Sequence, residues 1–193
     1  MYKSSQFKIS PIHFVRDCPA SETSPAIQNR QSAPLDPFVW SLASKLKKHL
    51  TGELRDANFV SGANLIVPWV LQRLVLEHLA TDVFLCHCGC NSTLEALCSG
   101  VPVIGWPLFA DQGLNVELLE MLGTGREVRG LHARPSRLVL SGEVYDIIES
   151  VFVAGFLREM VRQIKVVSGK AASPLGQSGS QLRAFLDSLD IHT

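Results

Sequence analysis

The chain has 193 residues, 46% of them hydrophobic and 19% charged, which is apolar material for one sizeable core and at most two domains. Lys and Arg total 18 and so do Asp and Glu, a balance that argues against a nucleic-acid or anionic-membrane partner. No apolar run reaches the roughly 18 to 20 residues that span a bilayer, and Met1 to Pro11 lacks the apolar stretch of a secretory signal. The five cysteines are an odd number without a disulfide spacing, so a reducing, cytoplasmic setting is expected.

Residues 1–37 read as an irregular or poorly ordered lead, because Asp17 to Pro37 is rich in Ser, Pro, Ala, Gln and Asn with no sustained period. His13 lies in this lead with no motif around it and is given no catalytic role, since a base needs a positioned partner and substrate. Residues 38–193 read as one ordered domain. Phe38 to Trp40 predicts a strand and Ser41 to Leu50 a helix, whose Lys45-Leu46-Lys47-Lys48-His49 run is a solvated face. Leu65 to Val67 predicts the next strand, with Trp69 just beyond its end.

Asp82 to His87 is an apolar run that predicts a buried strand, and Cys88-Gly89-Cys90 breaks it with a glycine. Ser92-Thr93-Leu94-Glu95 has the form of a capping box, so a helix is expected to begin there and end near Ser99-Gly100. Val101 to Trp106 predicts another strand, Pro107 to Ala110 a loop, and Gly113 to Leu122 a helix that Asp111 is placed to cap. Arg126 to Val128 predicts a short strand. Helices are expected at about Gly142 to Phe152, Leu157 to Val167 and Gln181 to Leu189, the last after a Gly176 to Ser180 turn. Alternating strands and helices imply an α/β fold with a Rossmann-like parallel sheet and helices on both faces.

The chemistry concentrates between Trp69 and Gln112. A helix that starts where a strand ends offers unpaired N–H groups and roughly half a positive charge, which suits a diphosphate. The carboxyl edge of a parallel sheet is where ligands bind. A carboxylate and an amide at that edge, Asp111 and Gln112, suit sugar hydroxyls, and Trp69 offers a flat face on which a base stacks. Cys86, Cys88 and Cys90 do not make a zinc site, because the spacing is C-x-C and no second ligand cluster exists. No metal and no cofactor are expected.

The whole segment resembles, without a gap, the signature box of the plant secondary-product UDP-glycosyltransferases, which have the two-domain GT-B fold; the chain is similar to the C-terminal, donor-binding half. The resemblance implies that Trp69 stacks on uracil, that the Val70 backbone contacts the uracil edge, and that Gln72 lies near the uridine. It implies that His87 contacts the diphosphate, with Gly89, Asn91 and Ser92 around the phosphates, that Glu95 binds the ribose hydroxyls, and that Asp111 and Gln112 bind the donor sugar. His78 and Pro107 also agree with the pattern. The chain departs from it at Val70-Leu71, where the family has Ala-Pro, at Asp82-Val83 in place of a glycine pair, at Cys86 in place of threonine, and at Cys90 in place of a tryptophan beside the sugar.

The implied activity is inverting hexosyl transfer from a UDP-sugar, with UDP-glucose favoured by Gln112, to a hydroxyl of a small-molecule acceptor. The family's acceptor pocket and catalytic histidine lie in an N-terminal domain that this sequence does not match, so the catalytic residues are left unassigned and the chain is expected to be a truncated form carrying the donor site, either active by itself, a fragment of a longer active chain, or paired with a partner that supplies the acceptor half. Two alternatives stand beside it: a non-catalytic module that binds UDP or a UDP-sugar, and a degenerate remnant whose box keeps the fold alone.

Overall fold

The computed structural model describes residues 11–15, 37–50, 60–61, 64–128 and 139–189. A seven-stranded sheet runs in the order β3-β4-β2-β1-β5-β6-β7. Its strands are β1 (Ile12–Val15), β2 (Phe38–Ser41), β3 (Val60–Ser61), β4 (Asn64–Val67), β5 (Thr81–Cys86), β6 (Val103–Gly105) and β7 (Gly125–Glu127). The helices are α1 (Gln72–Glu77), α2 (Cys90–Ser99), α3 (Gln112–Met121), α4 (Ser141–Val153), α5 (Gly155–Ala172) and α6 (Gln177–Ser188). A 3₁₀ segment, Ser44–His49, replaces the α-helix expected from Ser41 to Leu50.

β2 pairs with β4, β5 with β6 and β6 with β7, all in parallel, as the sequence predicted. The central strand differs. β1 is antiparallel to both neighbours, with Ile12 opposite Trp40 on one side and Leu85 on the other, so β2 and β5 share a direction and β1 alone opposes them in the sheet's interior. The sheet is therefore mixed, and the lead expected to be irregular contains its central strand. His13 sits in that strand wholly buried. The loop predicted from Asp17 lies outside the described residues as far as Asp36.

Both faces of the sheet are covered. Phe84, Cys86 and Val103 face α1, α2, α3 and α5 through Leu76, Ala96, Val116 and Val161. Val83, Leu85 and Ile104 face α4 and the start of α5 through Ile148, Val151, Phe152 and Leu157. Alternate residues of β5 thus supply the two cores, as a period of two requires, and burying each of the large side chains contributes about 1.5–3 kcal/mol. Gly105 sets the spacing on the first face, since a Cβ there would lie 2.5 Å from Val116 Cγ2. α6 begins at Gln177, so the Gly176 to Ser180 turn expected from the sequence is the first turn of this helix, and α6 has no buried residue of its own.

Candidate functional site

Every parallel strand next to the sheet centre ends at one edge, and the helices that follow start there. β5 ends at Cys86, the chain turns through His87 and Cys88, and α2 starts at Cys90 with Gly89 as its N-cap. Cys88 takes a left-handed conformation, φ 62°, which is rare outside glycine and marks a constrained turn. Gly89 lets His87 lie close against the turn: a Cβ on it would lie 2.8 Å from His87 Nε2, so a side chain there would push the imidazole aside. No side chain caps α2, so the N–H groups of its first turn, around Cys90, Asn91 and Ser92, are available to an anion.

The capping box expected at Ser92 and Glu95 is not formed. The helix starts two residues earlier than Ser92, and both side chains turn instead to α1: Gln72 Nε2 donates to Ser92 Oγ at 3.1 Å and to Glu95 Oε2 at 2.8 Å. One amide therefore positions a hydroxyl and a carboxylate on the neighbouring helix, and tertiary contact overrides the local pattern. A cavity of about 610 Å³ opens beside this cluster, lined by Pro11, Ser41, Trp69, Val70, Leu71, Gln72, Arg73, Leu74 and Glu95. Trp69 is 69% exposed, so its ring is a wall of the cavity and not part of the core. Arg73, on the solvent side, pairs with Glu77 at 2.7 Å, and that hydrogen bond raises its pKa further.

The other part of the site gathers at the start of α3. Asp111 is its N-cap, but the carboxylate does not cap the helix; it accepts from Asn115 Nδ2 at 2.8 Å, and the same nitrogen donates to Cys88 O at 2.9 Å. Asn115 thereby ties α3 to the turn before α2. Sequence reasoning missed it, although its i+4 spacing from Asp111 was a usable signal. Gln112 is buried, and its Oε1 accepts from the N–H groups of Leu108 and Phe109 at 2.8 and 3.1 Å, holding the turn that contains Ala110 at φ 58°. Those bonds use only the oxygen of the amide.

The sequence-derived residues thus fall into two connected groups. Trp69, Val70, Gln72 and Glu95 share the cavity, with Ser92 tied to Gln72. His87 and Gly89 form the turn leading into Asn91, and Asp111 joins that turn through Asn115. Pro11 and Ser41 were missed altogether because their strands meet the box only through the sheet. The Cys86 and Cys88 thiols lie 3.8 Å apart in the core, and the Cys86 thiol, then burial, push the Cys88 thiol upward, so it stays protonated and is no nucleophile. Among the described residues no group of three His, Cys, Asp or Glu is placed to hold a metal ion, and no helix is long and apolar enough to cross a membrane.

Known proteins place this arrangement. The family described as "UDP-glucoronosyl and UDP-glucosyl transferase" matches residues 34–137, more than half of the chain. An anthocyanidin 3-O-glucosyltransferase of Vitis vinifera is 33% identical over 163 residues, covering 84% of this chain and 35% of the relative. UDP-glycosyltransferase 71A15 of Malus domestica is 37% identical over 167 residues, covering 79% and 36%. Among solved structures, Os79 from O. sativa in complex with UDP and deoxynivalenol-3-glucoside superposes with a TM-score of 0.71 at 30% identity, over 79% of this chain and 35% of that one. An anthocyanidin 3-O-glucosyltransferase in complex with UDP gives 0.68 at 26% identity, over 79% and 33%. The chain thus spans about a third of the length of the relatives it matches. It belongs to the UDP-glycosyltransferase family and has the α/β fold of the GT-B enzymes.

Proposed function

We propose that this chain carries the UDP-sugar site of a glycosyltransferase that moves a hexose to a hydroxyl of a small-molecule acceptor. The observation that carries the reading is the Gln72 amide, which holds Ser92 and Glu95 together on the rim of a cavity walled by Trp69, beside an uncapped helix N-terminus. In this reading uracil stacks on Trp69 with its edge at the Val70 backbone, Glu95 accepts from the ribose hydroxyls, and His87 and Ser92 donate to the diphosphate alongside the first turn of α2. Gly89 and Asn91 flank the phosphates, and Asp111 and Gln112 face the sugar. Relatives named as glucosyltransferases, and the amide at Gln112, support glucose as the sugar.

Transfer then requires an acceptor hydroxyl to lose its proton to a base and attack the anomeric carbon as the bond from that carbon to the diphosphate oxygen breaks. The developing charge on the diphosphate is met by the helix N-terminus and His87, with no need of a metal ion or cofactor for that role. The acceptor pocket and the base come from chain outside the matched third, either in a longer polypeptide or in a partner. His13 does not serve as the base, because it is wholly buried in the central strand. The matched share of the relatives also favours a second reading, donor binding without transfer by this chain alone.

Calorimetric titration with UDP and then UDP-glucose tests the site. Binding that both His87→Ala and Glu95→Ala weaken supports it; a folded chain that gives no heat overturns it and leaves a structural remnant. Turnover assayed with and without an acceptor-binding partner separates the two functional readings.

A further inference from the structure

The central strand reaches the cavity by its beginning, because β1 opposes its neighbours and Ile12 lies at the edge where β2 and β5 end. Pro11, just before β1, lines the cavity together with Ser41, and the Ser41 N–H donates to Pro11 O at 3.1 Å. The Pro11 part of that wall depends on β1 being docked, whereas Ser41 is also held by β4 through its pairing with Val67. Among the described residues, the docking of β1 also leaves buried polar atoms of the sheet without partners. His13 is wholly buried with neither ring nitrogen hydrogen-bonded, its ring stacked on Phe84 at a centroid distance of 4.7 Å, and the buried Trp40 Nε1 opposite Ile12 has no partner either. The ladder to β5 shifts register between Phe14 and Val15. Buried polar groups left without partners oppose the ordered state that buries them.

We propose that β1 is a reversible wall of the nucleotide cavity, and that a uridine diphosphate bound there holds the strand in the sheet. The inference rests on the nucleotide reading above and adds Pro11 and Ser41 to the groups that shape the site. The coupling is reciprocal: a ligand that needs the docked strand must stabilise it. If opening of β1 abolishes binding, that opening becomes rarer by a factor of 1 + [L]/Kd, roughly 100-fold at a ligand concentration of 100 Kd.

Hydrogen exchange followed by mass spectrometry on the whole chain, with UDP as the probe and affinity fixed by calorimetry, reads this factor directly. Without ligand, peptides spanning Ile12–Val15 and Ser41 exchange faster than those spanning Val103–Gly105. With UDP they slow in proportion to its concentration, while α6, whose residues are all outside the core, does not respond. His13→Leu slows β1 exchange with no ligand present. UDP binding that leaves β1 exchange unchanged overturns the inference and spares the nucleotide site; absence of UDP binding overturns both.

Discussion

The two sides of the sheet are built to different standards. From β5 to β7 the strands are parallel, consecutive in the chain and joined through helices that bury Phe84, Val103, Ile104, Val116 and Leu119, each at most 1% exposed. From β1 outward, β1 opposes both of its neighbours, and the His13 side chain takes up core volume with neither ring nitrogen hydrogen-bonded. The cavity spans this boundary: Gln72 and Glu95 come with the well-packed side, Pro11 and Ser41 with the other. In the proposed reading, the residues that recognise the ligand sit on a well-packed base while part of the cavity wall comes from the strand proposed to open.

The largest test of this contrast strikes both sides at once. Phe84 is fully buried between β1 and α1, so Phe84→Ala lowers unfolding free energy by about 3–5 kcal/mol in urea titration. A loss below about 1 kcal/mol would mean that the packed side is no firmer than the other.

The next effect isolates β1. Burial lowers the His13 pKa to about 4 from an ordinary 6.5, so the unfolded chain binds the proton first, and stability present above pH 6.5 is lost as pH falls towards 4. Between pH 7.5 and 4.5 this residue alone removes about 2.5 kcal/mol. The acid sensitivity of the urea midpoint in His13→Leu is smaller than in the parent by that amount; equal sensitivity would show that β1 is not docked in solution.

Recognition is the next to respond. Gln72→Ala frees Ser92 and Glu95 from their shared donor and raises the Kd for UDP about tenfold, roughly 1.4 kcal/mol, with the urea midpoint changed far less. The smallest effect belongs to Asn115→Ala, which releases Cys88 O and destabilises the chain by about 1 kcal/mol. In the proposed donor-site reading its Kd change is larger for UDP-glucose than for UDP, because Asn115 joins Asp111, proposed to face the sugar, to the turn at Cys88 before α2.

How much could be read from the sequence follows the same boundary. β5, α2, β6 and α3 were legible because their signals are local: an apolar run, a glycine break, and helical periodicity that ends at Gly100 in a left-handed cap, φ 76°. β1 was not, because Ile12 to Val15 is four residues with a histidine among them, and only pairing with strands far along the chain makes it a strand. Ser92 and Glu95 were read as candidate site residues and as a capping box, and the capping partner was wrong. A capping-box pattern is satisfied locally on paper, and the competing donor, Gln72, comes from another helix. The candidate site residues were legible as types in register, while Pro11 and Ser41 carry no chemical signal of their own and line the cavity only because the reversed strand β1 pairs with β2 in the sheet.

That reversed strand also dictates an order of assembly during synthesis. Ile12 leaves the ribosome long before Leu85, its partner on β5, and at ordinary elongation rates the wait is on the order of 4–15 s. Through that interval β2 can offer β1 only one edge, and the other remains open to any extended segment nearby, so the chain's exposure to misassociation is set by translation time and not by the stability of the finished sheet.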